Sequence, residues 1–278
     1  MTFERVLVVG AGQMGAGIAQ AFASSGRRVL LHDAAPGAVE RGLGVMRKSL
    51  ERLAAKDQDL DPEDVLALVE PVDDLAEAHL MVEAVVEDPA VKEDVFRRAD
   101  DVLPEAAVLA SNTSSIPIAS LAAVTARPDR VVGMHFFNPG PVMALVEVVR
   151  APETSEETVR AVVALAEELG KTPAEVNDFP GFVSNRILMP LVNEAAYVLQ
   201  EGVAEAEAID TVARLGLNHP MGPLALADLI GLDTCVAIMD VLHRGLGDPK
   251  YEPCPLLREH VAAGRLGRKS GRGFYEYA

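Results

Sequence analysis

Apolar positions in the first half of the chain recur with two periods. Short runs rich in β-branched residues, at 5–10 (RVLVVG), 28–33 (RVLLHD), 80–86, 107–111 and 131–137, read as strands. Longer stretches with an apolar stripe, at 14–24 and from 36 to about 55, read as helices between them. Strands alternating with helices build βαβ units, which predicts a mostly parallel sheet covered on both faces. Residues 143–149 (MALVEVV) predict a further strand, 156–169 a crossover helix and 172–177 a last strand. The pattern then changes at Asp178-Phe179-Pro180-Gly181, a turn-type cluster. Beyond it the spacing is helical, at 182–200, 204–215, 224–246 and 255–263. The expected organisation is an α/β sheet domain over 1–180 and an all-helical domain over 181–278.

Composition narrows the class. The 278 residues are 49% hydrophobic, enough to bury a core without disulfides or metals. Cys235 and Cys254 match no zinc spacing and fit a reduced compartment, and six histidines include no HxxxH-type pair, so no metal is expected. No apolar run reaches the roughly 18 residues of a membrane-spanning helix. The first five residues lack the apolar stretch of a signal peptide, so a cytoplasmic location is expected. A net charge of −17 excludes nucleic acid and anionic membrane as partners, since both need a basic footprint. Any phosphate-bearing ligand must then be held by backbone amides or a local basic patch.

The amides are supplied by Gly10-Ala11-Gly12-Gln13-Met14-Gly15, a G-x-G-x-x-G between a strand and a helix. Its glycines permit a tight turn, close approach of a pyrophosphate and close packing of helix on strand, and the helix N-terminus adds a positive dipole end. Asp33 ends the second strand 18 residues beyond Gly15, where its carboxylate can accept from ribose hydroxyls and would repel a 2′-phosphate. NAD is favoured over NADP, on a Rossmann-type domain. The plainer alternatives are a glycine-rich turn in some other α/β domain, with Asp33 a strand-end cap.

Three further features lie near strand ends. Ser114 belongs to Ser111-Asn112-Thr113-Ser114-Ser115, His135 to Gly133-Met134-His135-Phe136-Phe137-Asn138-Pro139, and Glu147 to an otherwise apolar strand. Oxidising an alcohol needs a base for the hydroxyl proton, and histidine titrates near neutral pH. A carboxylate behind it would orient the ring and stabilise the imidazolium. The residues alone leave equally open a core histidine bonded to backbone, with Glu147 on the solvent face of an edge strand.

The chain resembles the short-chain 3-hydroxyacyl-CoA dehydrogenases, especially bacterial 3-hydroxybutyryl-CoA dehydrogenases. The resemblance rests on VVGAGQMGAGIAQ (8–20), VVED (85–88), SNTSSIPI (111–118), MHFFNPGPVMALVEVV (134–149), PGFVSNRILMP (180–190), HPMGPL (219–224), GLDT (231–234) and GRKSGRGFYEY (267–277). It implies that the first domain binds NAD and that the second serves substrate binding and homodimerisation. It further implies a reversible oxidation of a short (S)-3-hydroxyacyl-CoA within fatty acid metabolism or β-oxidation. His135 would then be the base, Glu147 its partner, and Ser114 and Asn185 the residues that orient the substrate. The implied NAD contacts are Gly10, Gly12, Gln13, Met14, Gly15, Asp33, Glu87, Lys92, Ser114, Asn138 and Lys269. Taken singly, Lys92 or Lys269 reads better as a solvated surface lysine.

Coenzyme A adds phosphate charge that a −17 chain should repel. Arg41, Lys48, Arg52 and Lys56 fall on one stripe of the second helix, with Arg47 beside it. Lys48, Arg52 and Lys56, with Ser114, are the expected acyl-CoA contacts; a solvated helix face with intrahelical pairs to Glu51 is the alternative. The segment 55–61 turns acidic where a basic or glycine-containing loop would suit the family. Two rival functions are a dehydrogenase of a free hydroxy acid or sugar acid, and a non-catalytic NAD-binding relative. The basic stripe counts against the first, and the intact set Ser114, His135, Glu147 and Asn185 against the second.

Overall fold

The computed structural model describes residues 1–56 and 59–277. The chain divides into two compact units, Met1–Phe179 and Pro180–Ala278. In the first, one sheet is built from β1 (Arg5–Val9), β2 (Arg28–His32), β3 (Val69–Pro71), β4 (Leu80–Glu83), β5 (Val108–Ser111), β6 (Val131–Phe136), β7 (Leu145–Arg150) and β8 (Thr172–Asn177). Their order is β3-β2-β1-β4-β5-β6-β7-β8. Every neighbouring pair is parallel except β6 with β7. Strands β4, β5 and β6 are buried at every residue, which is why they read as continuous apolar runs rather than alternating ones. The strand order reverses between β1 and β4, and ligands of such sheets bind at the carboxyl ends of the strands beside that reversal.

The α-helices of this unit among the described residues are α1 (Gln13–Ser24), α2 (Ala38–Ala54), α3 (Pro62–Leu66), α4 (Pro89–Val102), α5 (Ile118–Ala122) and α6 (Glu156–Glu168). Their starts are written in the sequence. Asp88 accepts from the amides of Ala90 and Val91 just before Pro89, and Ser155 caps α6 through the amide of Thr158. One continuous core gathers Val6, Val8, Phe22, Leu31, Val82 and Val132.

Three departures from the sequence reading have local causes. Strand β4 ends at Glu83 because the amide of Val85 turns to the Glu83 carboxylate, at 2.7 Å, instead of continuing the ladder. Strand β7 begins at Leu145 because the amides of Val142 and Met143 both fold back on the carbonyl of Pro139. The edge strand β3 and the one-turn α3 were not expected, since three and five residues are too few to show a period.

The second unit is helical: α7 (Ser184–Gln200), α8 (Ala206–Gly216), α9 (Pro223–Ile230), α10 (Leu232–Leu246) and α11 (Pro255–Ala262). The single helix expected over 224–246 is two helices. Gly231 stands between them with φ +105°, a conformation that closes one helix and opens the next. Met189, Val192, Leu232, Met239, Leu242 and Leu257 form its core. Its last residues are tied down by two buried aspartates. Asp228 accepts from the amides of Phe274 and Tyr275 and from the Tyr277 hydroxyl, and Asp210 from the amides of Leu224 and Ala225 and the Tyr275 hydroxyl. No helix among the described residues is long and apolar enough to cross a membrane.

Candidate active site

The glycine loop joins β1 to α1. A Cβ on Gly15 would lie 1.7 Å from the carbonyl oxygen of Gly10, and one on Gly10, at φ +102°, would lie 2.5 Å from that of Ala84. Both positions are closed to side chains by the fold itself. Gly12 differs: a Cβ there would meet nothing within 4 Å. Protein packing does not demand glycine at 12, and the exposed backbone there leaves room for close approach of a ligand. The Asp33 carboxylate shapes the turn as well as facing its outside. Its Oδ2 accepts from the amide of Ala11 at 2.7 Å and its Oδ1 from that of Ala35 at 2.8 Å. Each oxygen keeps a second lone pair for a ribose hydroxyl. These residues fit a dinucleotide with an unphosphorylated ribose.

His135 and Glu147 are placed by the one antiparallel pairing in the sheet. They are cross-strand partners in the β6–β7 register, so their side chains leave the same face. His135 Nδ1 and Glu147 Oε2 lie 2.7 Å apart, with the two residues 8% and 2% exposed. Strand β7 lies between β6 and β8 rather than at an edge, which removes the solvent-face alternative for Glu147. With Nδ1 held by the carboxylate, any proton transfer through this ring would fall to Nε2.

The segment after β5 brings Ser114 to the same end of the sheet. Asn112 Oδ1 accepts from the amide of Phe136 at 2.8 Å, which ties this segment to the strand of His135. Glu87 Oε1 accepts from Thr113 Oγ1 at 2.6 Å, the amides of Ser114 and Ser115 at 3.1 Å each, and Ser115 Oγ at 2.9 Å. Burial alone would push the Glu87 carboxyl up. The nearby Lys92 ammonium and the donors on Thr113, Ser115 and Ser114 outweigh it and hold the group below the usual carboxylate range. Gln13 Nε2 donates to Asn138 Oδ1 at 3.1 Å, joining the glycine loop to the segment after β6. Met14 is half-buried in the first turn of α1.

The remaining expected residues sort differently. Lys92 is no surface cation: it is 1% exposed, with Nζ 2.7 Å from Glu83 Oε1 and 3.3 Å from Glu87 Oε2. Asn185 and Lys269 belong to the second unit. Asn185 is buried in the first turn of α7, after a turn in which Gly181 and Phe182 both take positive φ. Lys269 is half-exposed and donates to Asp233 Oδ2 at 2.7 Å. Burial alone would raise the Asp233 carboxyl, but that ammonium, with local amides, draws it below its ordinary value.

On α2, Arg47 is engaged by Glu63 of α3. Lys48 and Arg52 are exposed, and Lys56 lies in the turn beyond the last helical residue, Ala54, rather than on the helix. Among the described residues none of these three forms an ion pair with a carboxylate, so the intrahelical pairing with Glu51 is not made. Asp57 and Gln58, in the acidic segment expected to disturb this region, lie outside the described residues.

Sequence reasoning missed Glu83 and Lys171. Lys171 is 9% exposed and its ammonium donates to the carbonyls of Gly140, Pro141 and Met143 at 2.8, 3.1 and 2.9 Å, pinning the loop between β6 and β7. Glu83 could have been found by the signal that singled out Glu147, a glutamate inside an apolar strand.

Two family models match the chain end to end: 3-hydroxyacyl-CoA dehydrogenase, NAD binding domain, over residues 5–179, and 3-hydroxyacyl-CoA dehydrogenase, C-terminal domain, over 181–277. A probable 3-hydroxybutyryl-CoA dehydrogenase of Deinococcus radiodurans is 57% identical over 97% of this chain and 99% of its own length. One of Bacillus subtilis is 55% identical over 100% and 98%. The crystal structure of (S)-3-hydroxybutyryl-CoA dehydrogenase from Ralstonia eutropha superposes with a TM-score of 0.96 at 49% identity, covering 100% of both chains. The resemblance read from HFFNP, PGFVSNR and HPMGP is thereby borne out: the chain belongs to the 3-hydroxyacyl-CoA dehydrogenase family, whose N-terminal domain binds NAD.

Proposed function

We propose that this NAD-dependent 3-hydroxyacyl-CoA dehydrogenase interconverts short (S)-3-hydroxyacyl-CoA thioesters, such as 3-hydroxybutyryl-CoA, and their 3-oxo forms, with His135 as the base. The observation that carries the reading is the buried His135–Glu147 pair at 2.7 Å, at the sheet end that also holds the glycine loop and Ser114. The 3-hydroxyl proton passes to His135 Nε2 while the C3–H bond breaks, its electron pair leaves as hydride, and the C3–O bond becomes a carbonyl. NAD supplies the hydride acceptor. Glu147 keeps the ring oriented and stabilises the imidazolium, and in the reverse direction His135 returns its proton to the carbonyl oxygen. Ser114 and Asn185 are read as the hydrogen-bonding partners that orient the substrate. The glycine loop and the N-terminus of α1 would hold the pyrophosphate, and Asp33 the adenine ribose. Glu87, Lys92, Asn138 and Lys269 are read as the further NAD contacts.

Lys48, Arg52 and Lys56 are assigned to the CoA phosphates, because they are exposed cations without carboxylate partners among the described residues. Homodimerisation through the helical unit is supported by its exposed apolar side chains Ile187, Val203, Val212, Leu215 and Leu217, since a small unit rarely leaves so many in water. The Bacillus subtilis and Deinococcus radiodurans relatives are bacterial, and no helix among the described residues is long and apolar enough to cross a membrane; both support a reading of action in the cytoplasm, in fatty acid metabolism or β-oxidation. The test is oxidation of NADH by acetoacetyl-CoA, with free acetoacetate and NADPH in parallel. Rapid loss of NADH with the thioester alone is expected. Turnover of free acetoacetate at a similar rate would overturn the CoA assignment, and equal use of NADPH would overturn the role of Asp33.

A further inference from the structure

Glu83 and Lys92 form an ion pair 0% and 1% exposed, at the strand ends beside the reversal in strand order. Desolvating two charges costs about as much as their attraction returns, so stability gives little reason for a pair in this position. Its contacts give another. Glu83 Oε1 accepts from Lys92 Nζ and from the amide of Val85, both at 2.7 Å, and Oε2 accepts from Ser111 Oγ at 2.7 Å. Ser111 Oγ in turn accepts from the amide of Thr113 at 3.1 Å. On the far side of Lys92 lies Glu87, whose other oxygen gathers Thr113, Ser114 and Ser115. Two routes therefore run from Glu83 to the segment that carries Ser114: one through Ser111 at its start, the other through Lys92 and Glu87 around its middle. The Glu87 side chain is 39% exposed, open to competition from water unless a buried cation fixes it. The peptide that Glu83 holds, at Ala84 and Val85, is also the one against which Gly10 packs.

We infer that Glu83, with Lys92, is a positioning residue for Ser114, acting through Ser111 and Glu87 rather than on the substrate. The inference rests on the proposed role of Ser114 in orienting the substrate. It is tested on the full-length chain with Glu83→Gln, which keeps the shape and removes the charge. Hydrogen exchange of residues 111–116 should quicken about 10-fold, as local opening becomes easier. With acetoacetyl-CoA and NADH, kcat should fall roughly 10–100-fold, the scale of a misplacement of about 1 Å near the chemistry, and by more than NADH affinity changes. In a Ser114→Ala background the same substitution should cost little further, because the residue it positions is gone. Unchanged exchange, or a kcat loss that multiplies fully with that of Ser114→Ala, would overturn the inference. Should the wild type fail to reduce acetoacetyl-CoA, the substrate reading falls while the exchange measurement still judges the positioning. If Glu83→Gln does not fold, Ser111→Ala severs one route, and exchange in the same segment should quicken by a smaller factor; no change would again overturn it.

Discussion

Both units bury carboxylates, and their partners set them apart. In the first unit Glu147 faces an imidazole and Glu83 an ammonium, groups that carry or exchange charge. In the second, the hydrogen bonds that Asp210 and Asp228 accept among the described residues come from backbone amides and tyrosine hydroxyls. Those tyrosines hold their protons far beyond neutral pH. Burial and the hydrogen bond to Asp228 push the Tyr277 hydroxyl up to about 12, and Tyr275 is raised in the same way by burial and Asp210. The lesson is that burial of a carboxylate does not mark a site; a partner able to take or give a proton does.

The sharpest way to break this comparison is at its most reactive pair. His135→Asn should lower kcat for acetoacetyl-CoA reduction about 10²–10⁴-fold, the usual worth of a general acid or base, with NADH binding by fluorescence titration little altered. A loss below about tenfold would remove His135 from the proton transfer. The second unit should answer in stability instead. Asp210→Ala strands two amides in the first turn of α9 and the Tyr275 hydroxyl, at a cost of about 2–4 kcal/mol in chemical denaturation. Its kcat at 20 °C should stay within about threefold of wild type, since the partners of this aspartate are two amides and a tyrosine that keeps its proton at neutral pH. A collapse of kcat with stability intact would show that the second unit's carboxylates do more than hold the chain.

Much of this contrast was legible in the residues. The G-x-G-x-x-G, the strand-end Asp33 and a glutamate inside an apolar strand each state a local requirement that any fold of this class must meet. The His135–Glu147 pairing was not fixed by pattern, because register across a hairpin depends on the loop between the strands, here pinned by Lys171 from outside it. The break at Gly231 was hidden for a related reason: a glycine within an apolar helical run costs little enough to pass, and only the backbone shows that it takes positive φ. Lys92 was read from family resemblance as a cation for the dinucleotide. That it lies buried between two glutamates depends on contacts nine and five residues away that no period reports.

The smallest effect carries the comparison from buried anions to exposed cations. Arg47 has its carboxylate, Glu63 of α3, whereas Lys48, Arg52 and Lys56 form no ion pair among the described residues. If a cation whose partner lies within the fold is architecture, and one without a partner serves a ligand, their alanine variants should separate. Each of Lys48→Ala, Arg52→Ala and Lys56→Ala should raise KM for acetoacetyl-CoA about 2–5-fold at low salt, and the increments should fade near 0.5 M salt as screening closes in to a few ångströms. Arg47→Ala should move KM less than any of the three. Equal shifts for all four would mean that the chain's overall charge of −17, rather than a built site, governs how the thioester is met. No shift for Lys48, Arg52 and Lys56 would place the CoA phosphates elsewhere, and the exposed face of α2 would then be merely solvated.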